Sequence, residues 1–341
     1  MDESWKLKRC ICFFARCKWI ALALCVGIFA LSAESAVARG PHQPARVGIL
    51  WIQNAEEAAP FVGAVKDGLR TLGWIEGKNI VFLERYNQGD ESRFPTLAAE
   101  LLALDVDVLF VNDSAVPAAR AATSTIPIVC ADFYDPVATK VTASLARPEG
   151  NVTGMSWQSV ESGVKRLQLT MELIPKARRI GLLYNAGFAG AVMEAQGLFD
   201  AAHKMRIDVV GVEVRTPADL PAAFAKIKRE RFDVLLVSVD PLTFDAREQI
   251  CGLASSLRLP VVAEMSEFAD IGAILTYGPD ILHTYRRSAH YVHRILNGAK
   301  PADLPYEQPT RFQLVLNQKT ATALRIRVPK SIWENATKII K

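Results

Sequence analysis

The chain has 341 residues, of which half are apolar and 22% are charged. This length allows two domains, because a single hydrophobic core stops growing at about 250–300 residues. The formal net charge of +4 is small, and no dense run of lysine and arginine occurs beyond the N-terminus. These features argue against a nucleic-acid-binding protein.

The N-terminus has the order of a secretory signal. Basic residues between Lys6 and Lys18 precede an uncharged apolar stretch at 19–32, and Ala36-Val37-Ala38 follows as a small-residue cleavage pattern. The apolar stretch is shorter than the about 20 residues that a membrane span needs. We therefore expect residues 1–38 to be a signal peptide that is cleaved near Ala38, with the mature protein in the periplasm. The alternative is a leader that is retained as an anchor.

Two cysteines, Cys130 and Cys251, remain after this leader is removed. Two cysteines in an exported protein can form a disulfide. We favour two buried free thiols, because the division into lobes described next places them far apart.

From residue 45 the chain alternates short apolar runs with helical patterns. This alternation predicts a doubly wound parallel sheet, and it occurs in two successive series, which predicts two α/β lobes. In the first series we predict strands at 46–52, 80–85, 108–111 and 127–130, and helices at 58–72, 95–104, 116–123 and 137–145. In the second we predict strands at 179–184, 208–214, 234–239, 261–263 and 273–276, and helices at 164–173, 192–204, 220–229 and 245–257.

The C-terminal part of the chain is predicted to connect the lobes again. A long helix at 281–297 is followed by an extended segment at 301–317, whose prolines forbid a helix, and by helices at about 319–325 and 331–340. Three passes between the lobes form a hinge, and a hinge between two open sheets forms a cleft. We assign 45–153 and 280–305 to lobe one, and 154–279 and 306–341 to lobe two.

Ligands of open parallel sheets bind at the carboxyl ends of the strands. The residues at these ends include aromatic side chains for stacking and polar side chains for orientation, as a small-molecule site needs. Another interpretation is that they are helix caps and turns. The candidate ligand-binding residues are Trp51, Asn112, Asp113, Ser114, Phe133, Tyr134 and Asp135 in lobe one, and Asn185, Asp240, Glu264 and Tyr277 in lobe two.

Two details of these candidates stay open in the sequence. Asp113 and Ser114 immediately precede a helix, where free backbone amides can hold a carboxylate. Asp132 and Asp135 both follow a buried run, and an error of one residue in the strand register would exchange the acid that faces the ligand.

Motifs typical of enzymes are absent from the sequence. It contains no Walker loop, no G-x-G-x-x-G after a strand, no H-E-x-x-H and no G-x-S-x-G. His283, His290 and His293 share a helix face and suit a metal, but a solvated face is the simpler interpretation. We expect no catalysis, no cofactor and no metal. A secreted α/β enzyme that uses a cleft carboxylate such as Asp240 is the alternative.

Several stretches resemble the substrate-binding subunits of ABC importers of the tryptophan/tyrosine type. They lie at 125–137, 144–156, 165–185, 275–317 and 317–329, and the resemblance extends over about 45–340. It implies a type I periplasmic binding protein, expected to be a monomer, that clamps a small molecule in its cleft and delivers it to a membrane permease with its ATPase. It also implies hinge roles for Gly150 and Gly154 at the first crossover and Gly278 at the second.

The sequence departs from this family near the cleft. Asn112-Asp113-Ser114 stands where a Gly-Thr-Pro-like loop is frequent, Ala138-Thr139-Lys140 replaces a glycine-containing segment, and Glu149 replaces a glycine. An aromatic amino acid is therefore not carried over as the ligand, and a carboxylate at 113 would favour a ligand amine. We expect an amino acid or a similar small polar or organic nutrient. An extracytoplasmic sensor that presents its ligand to a receptor is the competing binding function.

Overall fold

Two β-sheets organise the computed structural model, which describes residues 43–341. The predicted signal peptide at 1–38 lies outside the described residues. The first sheet has the strand order β2-β1-β3-β4-β5, and all of its strands are parallel. The second sheet has the order β12-β11-β10-β9-β8-β6-β7. Each sheet is flanked by helices, so the predicted two α/β lobes are confirmed.

Lobe one is built from the first alternating series. Its strands are β1 (Ala45–Trp51), β2 (Ile80–Tyr86), β3 (Val108–Val111), β4 (Ile128–Phe133) and β5 (Val152–Ser156). Its helices are α1 (Ala55–Thr71), α2 (Phe94–Leu102) and α3 (Val116–Ala122). Helix α1 begins earlier than predicted because the Asn54 side chain accepts hydrogen bonds from the backbone amides of Glu56 and Glu57.

Lobe two follows the same plan with shorter strands. Its strands are β6 (Arg179–Asn185), β7 (Asp208–Val214), β8 (Val234–Val237), β9 (Val261–Ala263), β10 (Leu275–Pro279), β11 (Phe312–Asn317) and β12 (Lys338–Ile340). Its helices are α4 (Ser159–Leu173), α5 (Ala189–Met205), α6 (Leu220–Glu230), α7 (Pro241–Asp245), α8 (Arg247–Ser256), α9 (Ser266–Asp270), α11 (Gln318–Leu324) and α12 (Lys330–Asn335).

Helix α10 (Ile281–Leu296) leaves lobe two and packs on lobe one against α1. The two helices cross closely, because a Cβ atom on Gly68 would lie 2.6 Å from the Arg286 carbonyl oxygen. After α10 the chain pairs with the end of β5, where the Ser156 amide donates to the Glu307 carbonyl at 2.8 Å. It then enters β11, which runs antiparallel to β10. The second sheet is therefore mixed, although the sequence predicted parallel strands alone.

The chain thus passes between the sheets three times, after β5, after β10 and before β11. The first sheet extends to Ser156, beyond the predicted lobe boundary at 153, because residues 152–156 form a strand beside β4. The exact lobe boundaries stay a prediction.

Two predicted helices are wrong. Residues 137–145 form turns, because Lys140 adopts a left-handed φ of +57° and the Asp135 side chain closes the first turn on the Val137 amide at 2.9 Å. The predicted helix at 331–340 ends at Asn335. Beyond it the Thr337 amide donates to the Leu314 carbonyl at 2.8 Å, which brings 338–340 alongside β11 as an edge strand.

The two cysteines are buried free thiols in different lobes, as predicted. Cys130 lies in β4 of lobe one and Cys251 in α8 of lobe two, and both are buried free thiols. Burial raises the pKa of the Cys251 thiol to about 11, so it stays protonated at neutral pH.

Across residues 43–341, none of the helices combines the length and the apolar composition that crossing a membrane requires.

Candidate functional site

A cavity of about 550 Å³, part of which opens to solvent, lies where the carboxyl ends of the two sheets face each other. Both lobes contribute to its walls. Lobe one and α10 supply Trp51, Gln53, Phe61, Asn112, Asp113, Ser114, Asp132, Tyr134 and Tyr285, and lobe two with its entering segment supplies Trp157, Phe188, Val239, Asp240, Pro241, Phe244 and Met265.

One wall of this cavity is an aromatic cluster centred on Trp51. Its ring lies 6.3 Å from Phe61, nearly parallel to it, and 5.6 Å from Tyr285. The Trp51 Nε1 atom donates to Gln53 Oε1 at 2.9 Å, so the indole has no free donor. The cluster is a fixed apolar wall, because Trp51 is only 2% exposed and its neighbours hold the ring plane.

Two carboxylates, Asp113 and Asp132, stand beside this wall. Asp132 Oδ1 accepts from the Asp113 backbone amide at 2.9 Å, and Asp132 Oδ2 accepts from the Tyr285 hydroxyl at 2.7 Å. Burial raises the pKa of Asp132 despite these donors. Burial and then the charges of Asp132 and Glu91 raise the pKa of Asp113 well above its usual value.

The structure shows which of the two acids, Asp132 or Asp135, faces the cavity. Asp132 lines it, whereas the Asp135 side chain caps the following turn by accepting from the amides of Val137 and Ala138 at 2.9 and 3.0 Å. Strand β4 extends to Phe133, so alternation places Asp132 and Phe133 on opposite faces.

Tyr134 connects the two lobes across the cavity. Its hydroxyl donates to the Val239 carbonyl, and its ring centroid lies 5.2 Å from that of Phe188 in an edge-to-face contact. A Cβ atom on Gly190, at the start of α5, would lie only 2.5 Å from Tyr134 Cγ. The absence of a side chain at Gly190 therefore leaves room for the Tyr134 ring of lobe one to pack against lobe two.

Asp240 is the charged group that lobe two presents to the cavity. Its Oδ1 atom accepts from the Thr243 amide at 2.8 Å, which caps α7, while Oδ2 has no hydrogen-bond partner among the described residues. Asp240 is 4% exposed, and burial raises its pKa. The nearby Asn185 amide acts in the opposite direction and lowers that pKa.

A buried ionic cluster stands behind this wall of lobe two. Arg166 pairs with Glu194, and its Nη1 atom lies 3.6 Å from Glu264 Oε2 and donates to the Tyr277 carbonyl at 3.2 Å. Ser238 donates from its hydroxyl to Glu194. Burial raises the pKa of Glu264 to about 7, although Arg166 opposes this shift.

The structure brings six of the predicted binding residues together at the cavity: Trp51, Asn112, Asp113, Ser114, Tyr134 and Asp240. Asn185 lines a neighbouring pocket, which shares Gln53, Phe188 and Pro241 with this cavity. Their roles in binding stay a prediction.

Four other candidates are held away from the cavity by identifiable contacts. Phe133 is 1% exposed and packs on Tyr306 in the core of lobe one. Asp135 caps a turn, as described above. Glu264 faces Arg166, and the Tyr277 ring stacks on Phe312 with centroids 5.6 Å apart.

Sequence reasoning missed much of the aromatic lining. Tyr285 lies on α10, which reaches the site only because the chain returns to lobe one. Phe61 and Phe244 lie on helices flanking strand ends, and Trp157 and Phe188 lie in connecting segments. The spacing of Ile281, Tyr285 and Ser288 indicates one face of α10, and this face is buried. The sequence does not indicate that this face packs against β4.

The three hinge glycines differ in their surroundings. Gly150 has a φ of +78° and open space around it. Gly154 has a φ of +147° and directly touches the backbone of Cys130, while a Cβ atom on Gly278 would lie 2.5 Å from Glu264 Cγ. No motion is observed, so their hinge roles stay a prediction.

Within residues 43–341, no group of three or more His, Cys, Asp or Glu side chains has the arrangement of a metal site. On the helix face considered above, the Nδ1 atom of His293 accepts a hydrogen bond from Trp74 Nε1 at 3.0 Å.

A family model described as "ABC transporter substrate binding protein" matches residues 46–340. A tyrosine-binding protein of Clostridioides difficile (strain R20291) is 26% identical over 266 residues, which cover 77% of this chain and 75% of that protein.

Two solved structures have the same fold. A conserved domain protein from Vibrio cholerae O1 biovar El Tor is 30% identical with a TM-score of 0.82, and the match covers 87% of this chain and all of that one. An ABC domain from Streptococcus pneumoniae in complex with L-Trp is 22% identical with a TM-score of 0.82 and the same coverage.

Proposed function

The chain belongs to the family of ABC transporter substrate binding proteins, and we propose that it captures its small molecule in the cavity between the lobes and delivers it to the permease and ATPase of an importer. The observation that supports this site is that the cavity is built from both lobes, with Tyr134 of lobe one seated against Phe188 and Val239 of lobe two. A ligand held there contacts both lobes only when they are closed.

The mechanism needs no bond chemistry. A ligand that contacts both lobes stabilises the closed form and shifts an open–closed equilibrium toward it. The closed form then presents both lobe surfaces to the permease. In this scheme the cavity carboxylates orient the ligand and perform no catalysis.

The same proposal includes export. The signal peptide at 1–38 directs the chain out of the cytoplasm and is cleaved near Ala38, so the mature protein works in the periplasm. We propose that it works there as a monomer.

The walls of the cavity suit a ligand with a flat apolar body. Trp51, Phe61 and Tyr285 form one side, and Trp157 and Phe244 belong to the other. A tyrosine-binding relative and a fold neighbour in complex with L-Trp agree with an aromatic body. The polar groups that both lobes contribute to the cavity would orient that body.

A thermal-shift screen of the purified protein against amino acids, amines, small organic acids and other nutrients tests the proposed function. A compound that binds the folded state raises the melting temperature. At a concentration a hundredfold above its Kd it stabilises the folded state by about 2.7 kcal/mol. Conversion of a hit compound during incubation, or the absence of any hit, would contradict the proposal.

Replacing Tyr134 with alanine is expected to weaken binding of a ligand found in this screen by about 10- to 100-fold, because closure loses a ring contact and a hydrogen bond worth about 1–3 kcal/mol together. Isothermal titration measures the change. Tyr134→Phe keeps the ring and should lose at most about tenfold. Unchanged affinity in Tyr134→Ala would remove this residue from the closure mechanism.

A further inference from the structure

We propose that the ligand of this cavity is a small organic cation, an amine on an aromatic or apolar body that carries no carboxylate group. This inference rests on the proposed function, because it names the class of the small molecule that the cavity captures.

The first observation is the charge of the cavity wall. Asp113, Asp132 and Asp240 line it, and within the described part of the chain no lysine, arginine or histidine does. None of the three carboxylates forms an ion pair with another described residue. Burial raises the pKa of each of these carboxyl groups, and a cation bound among them would supply the counter-charge that stabilises their ionised form, whereas an anion would not.

A neighbouring pocket, which shares Gln53, Phe188 and Pro241 with the cavity, is also mainly acidic. Glu57, Glu91 and Asp245 line this pocket, and Arg215 is the basic residue among its described lining residues. Arg215 donates through Nη1 to the Ala186 carbonyl at 3.0 Å. Burial and then the neighbouring Glu57 raise the pKa of Asp245 to about 6. A cleft lined by one sign of charge concentrates ligands of the opposite sign at its entrance.

The second observation concerns the backbone amides that would otherwise hold a ligand carboxylate. The Asp113 amide, which precedes α3, already donates to Asp132 Oδ1 at 2.9 Å. The Thr243 amide in the first turn of α7 already donates to Asp240 Oδ1 at 2.8 Å. The sequence had suggested that amides near 113 could bind a carboxylate, but the Asp113 amide, like that of Thr243, is occupied by a carboxylate of the protein itself.

A buried arginine of lobe two is also paired with carboxylates of the protein itself. Arg166 is 2% exposed, pairs with Glu194 and lies 3.6 Å from Glu264. The guanidinium is shared between Glu194 and Glu264, so it is not free to bind an anionic ligand.

The third observation is that two buried oxygen acceptors at the cavity, Asn112 Oδ1 and Asp240 Oδ2, have no hydrogen-bond partner among the described residues. The Ser114 hydroxyl, which can donate or accept, and the Trp157 Nε1 donor are also without a partner there. Asn112 and Asp240 are each 4% exposed. Leaving a buried oxygen without a donor is unfavourable, and an ammonium group brings three donors and no acceptor.

The aromatic walls are compatible with the same ligand class. A cation near the faces of Trp51, Trp157 or Tyr285 gains a further attraction from the ring quadrupoles. An apolar body attached to the amine would fill the space between these rings, whereas a carboxylate on that body would face Asp113, Asp132 or Asp240.

Isothermal titration with tryptamine, tryptophan and indole-3-acetate tests the inference, because the three probes share one ring and differ in amine and carboxylate. Tyramine and tyrosine form a second matched pair. We expect each amine to bind at least tenfold more tightly than its amino acid and indole-3-acetate not to bind. An amino acid that binds as tightly as its amine, or tighter, overturns the inference and leaves the proposed function intact.

If none of these five probes binds, the inference is also overturned. The proposed function fails separately, if the broad thermal-shift screen yields no ligand of any class or if a hit compound is converted during incubation.

A charge-removing variant then locates the amine. Asp113→Asn keeps the side-chain size and is expected to weaken the bound amine at least tenfold, with a melting temperature close to that of the original protein. Asp135→Asn is the matched control, because Asp135 caps a turn outside the cavity lining. Equal amine affinity in Asp113→Asn and the original protein would overturn the assignment.

Discussion

Replacing Gly154 with alanine is expected to lower the free energy of unfolding by about 4 kcal/mol or more, which is at the upper end for a single substitution. Gly154 has a φ of +147°, a region that side chains other than glycine rarely adopt. A Cβ atom there would lie 1.8 Å from the Cys130 carbonyl oxygen and 2.9 Å from the Cys130 nitrogen. The atoms in the way are backbone, so no side-chain rotation relieves the overlap.

The surroundings of Gly154 prevent the strand from moving aside. Strand β5 pairs with β4 through Cys130 and Gly154 in register. On its other side the Glu307 amide donates to the Gly154 carbonyl at 3.2 Å. Moving β5 away from Cys130 would break the pairing at the edge of the first sheet and would disturb two of the three passes between the lobes.

Urea denaturation followed by circular dichroism measures this effect. Gly63→Ala is the matched control, because Gly63 lies within α1 with no atom near its Cβ position, and alanine there should be neutral or stabilise by up to about 1 kcal/mol. Gly150→Ala, with a left-handed φ but open space, should cost about 1 kcal/mol. A Gly154→Ala protein as stable as the original would contradict the close contact with Cys130.

This contact also bears on the interpretation of the glycines. The sequence analysis assigned Gly154 to a hinge because of a family resemblance. The backbone approach to Cys130 explains a glycine there by packing alone. Its hinge role is therefore a separate prediction, which the stability of Gly154→Ala does not test.

The lobes and the position of the cavity were predictable because they follow from local patterns. Buried apolar runs such as Val108–Val111 mark parallel strands, and their carboxyl ends must meet at one edge of a sheet. Asp113 and Asp240 were found in this way. Both lie within three residues of the end of a buried strand and precede a helix.

The direction of individual side chains was not predictable in the same way. Phe133 was predicted to contact the ligand, but strand β4 continues three residues beyond its predicted end at Cys130, and Phe133 packs on Tyr306 while Asp132 lines the cavity. Glu264 follows β9 as expected, but its carboxylate faces Arg166 of α4, about a hundred residues earlier in the chain. Such pairings depend on how helices pack over the sheet, and no local pattern encodes them.

Arg166→Met is expected to destabilise lobe two by about 3–5 kcal/mol at pH 8, because it leaves the buried carboxylates of Glu194 and Glu264 without their cation. Methionine fills a similar volume, so the loss reports charge more than packing. Arg179→Met is the matched control. Arg179 pairs with Glu230 at 3.0 Å, but its side chain is 41% exposed, and an exposed pair contributes about 1 kcal/mol or less.

The dependence of this loss on pH separates a charge effect from a packing effect. Burial raises the pKa of Glu264 to about 7 and also raises that of Glu194, above the values that these groups have in the unfolded chain. The folded state therefore binds protons more tightly, and stability falls as pH rises through the interval between the unfolded and folded pKa values. Removing Arg166 raises both folded values further, so the penalty grows toward pH 8 and shrinks toward pH 5.

Urea denaturation of Arg166→Met at pH 5.5 and at pH 8 measures both halves of this prediction. We expect the loss relative to the original protein to be clearly smaller at pH 5.5, and the double variant Arg166→Met with Glu194→Gln to recover part of the stability at pH 8, because one buried charge is gone. A loss that is the same at both pH values and is not reduced by Glu194→Gln would mean that Arg166 stabilises lobe two by packing. In that case the buried carboxylates would already be protonated beside the cavity, and Asp240 would be the principal source of negative charge on its lobe-two wall.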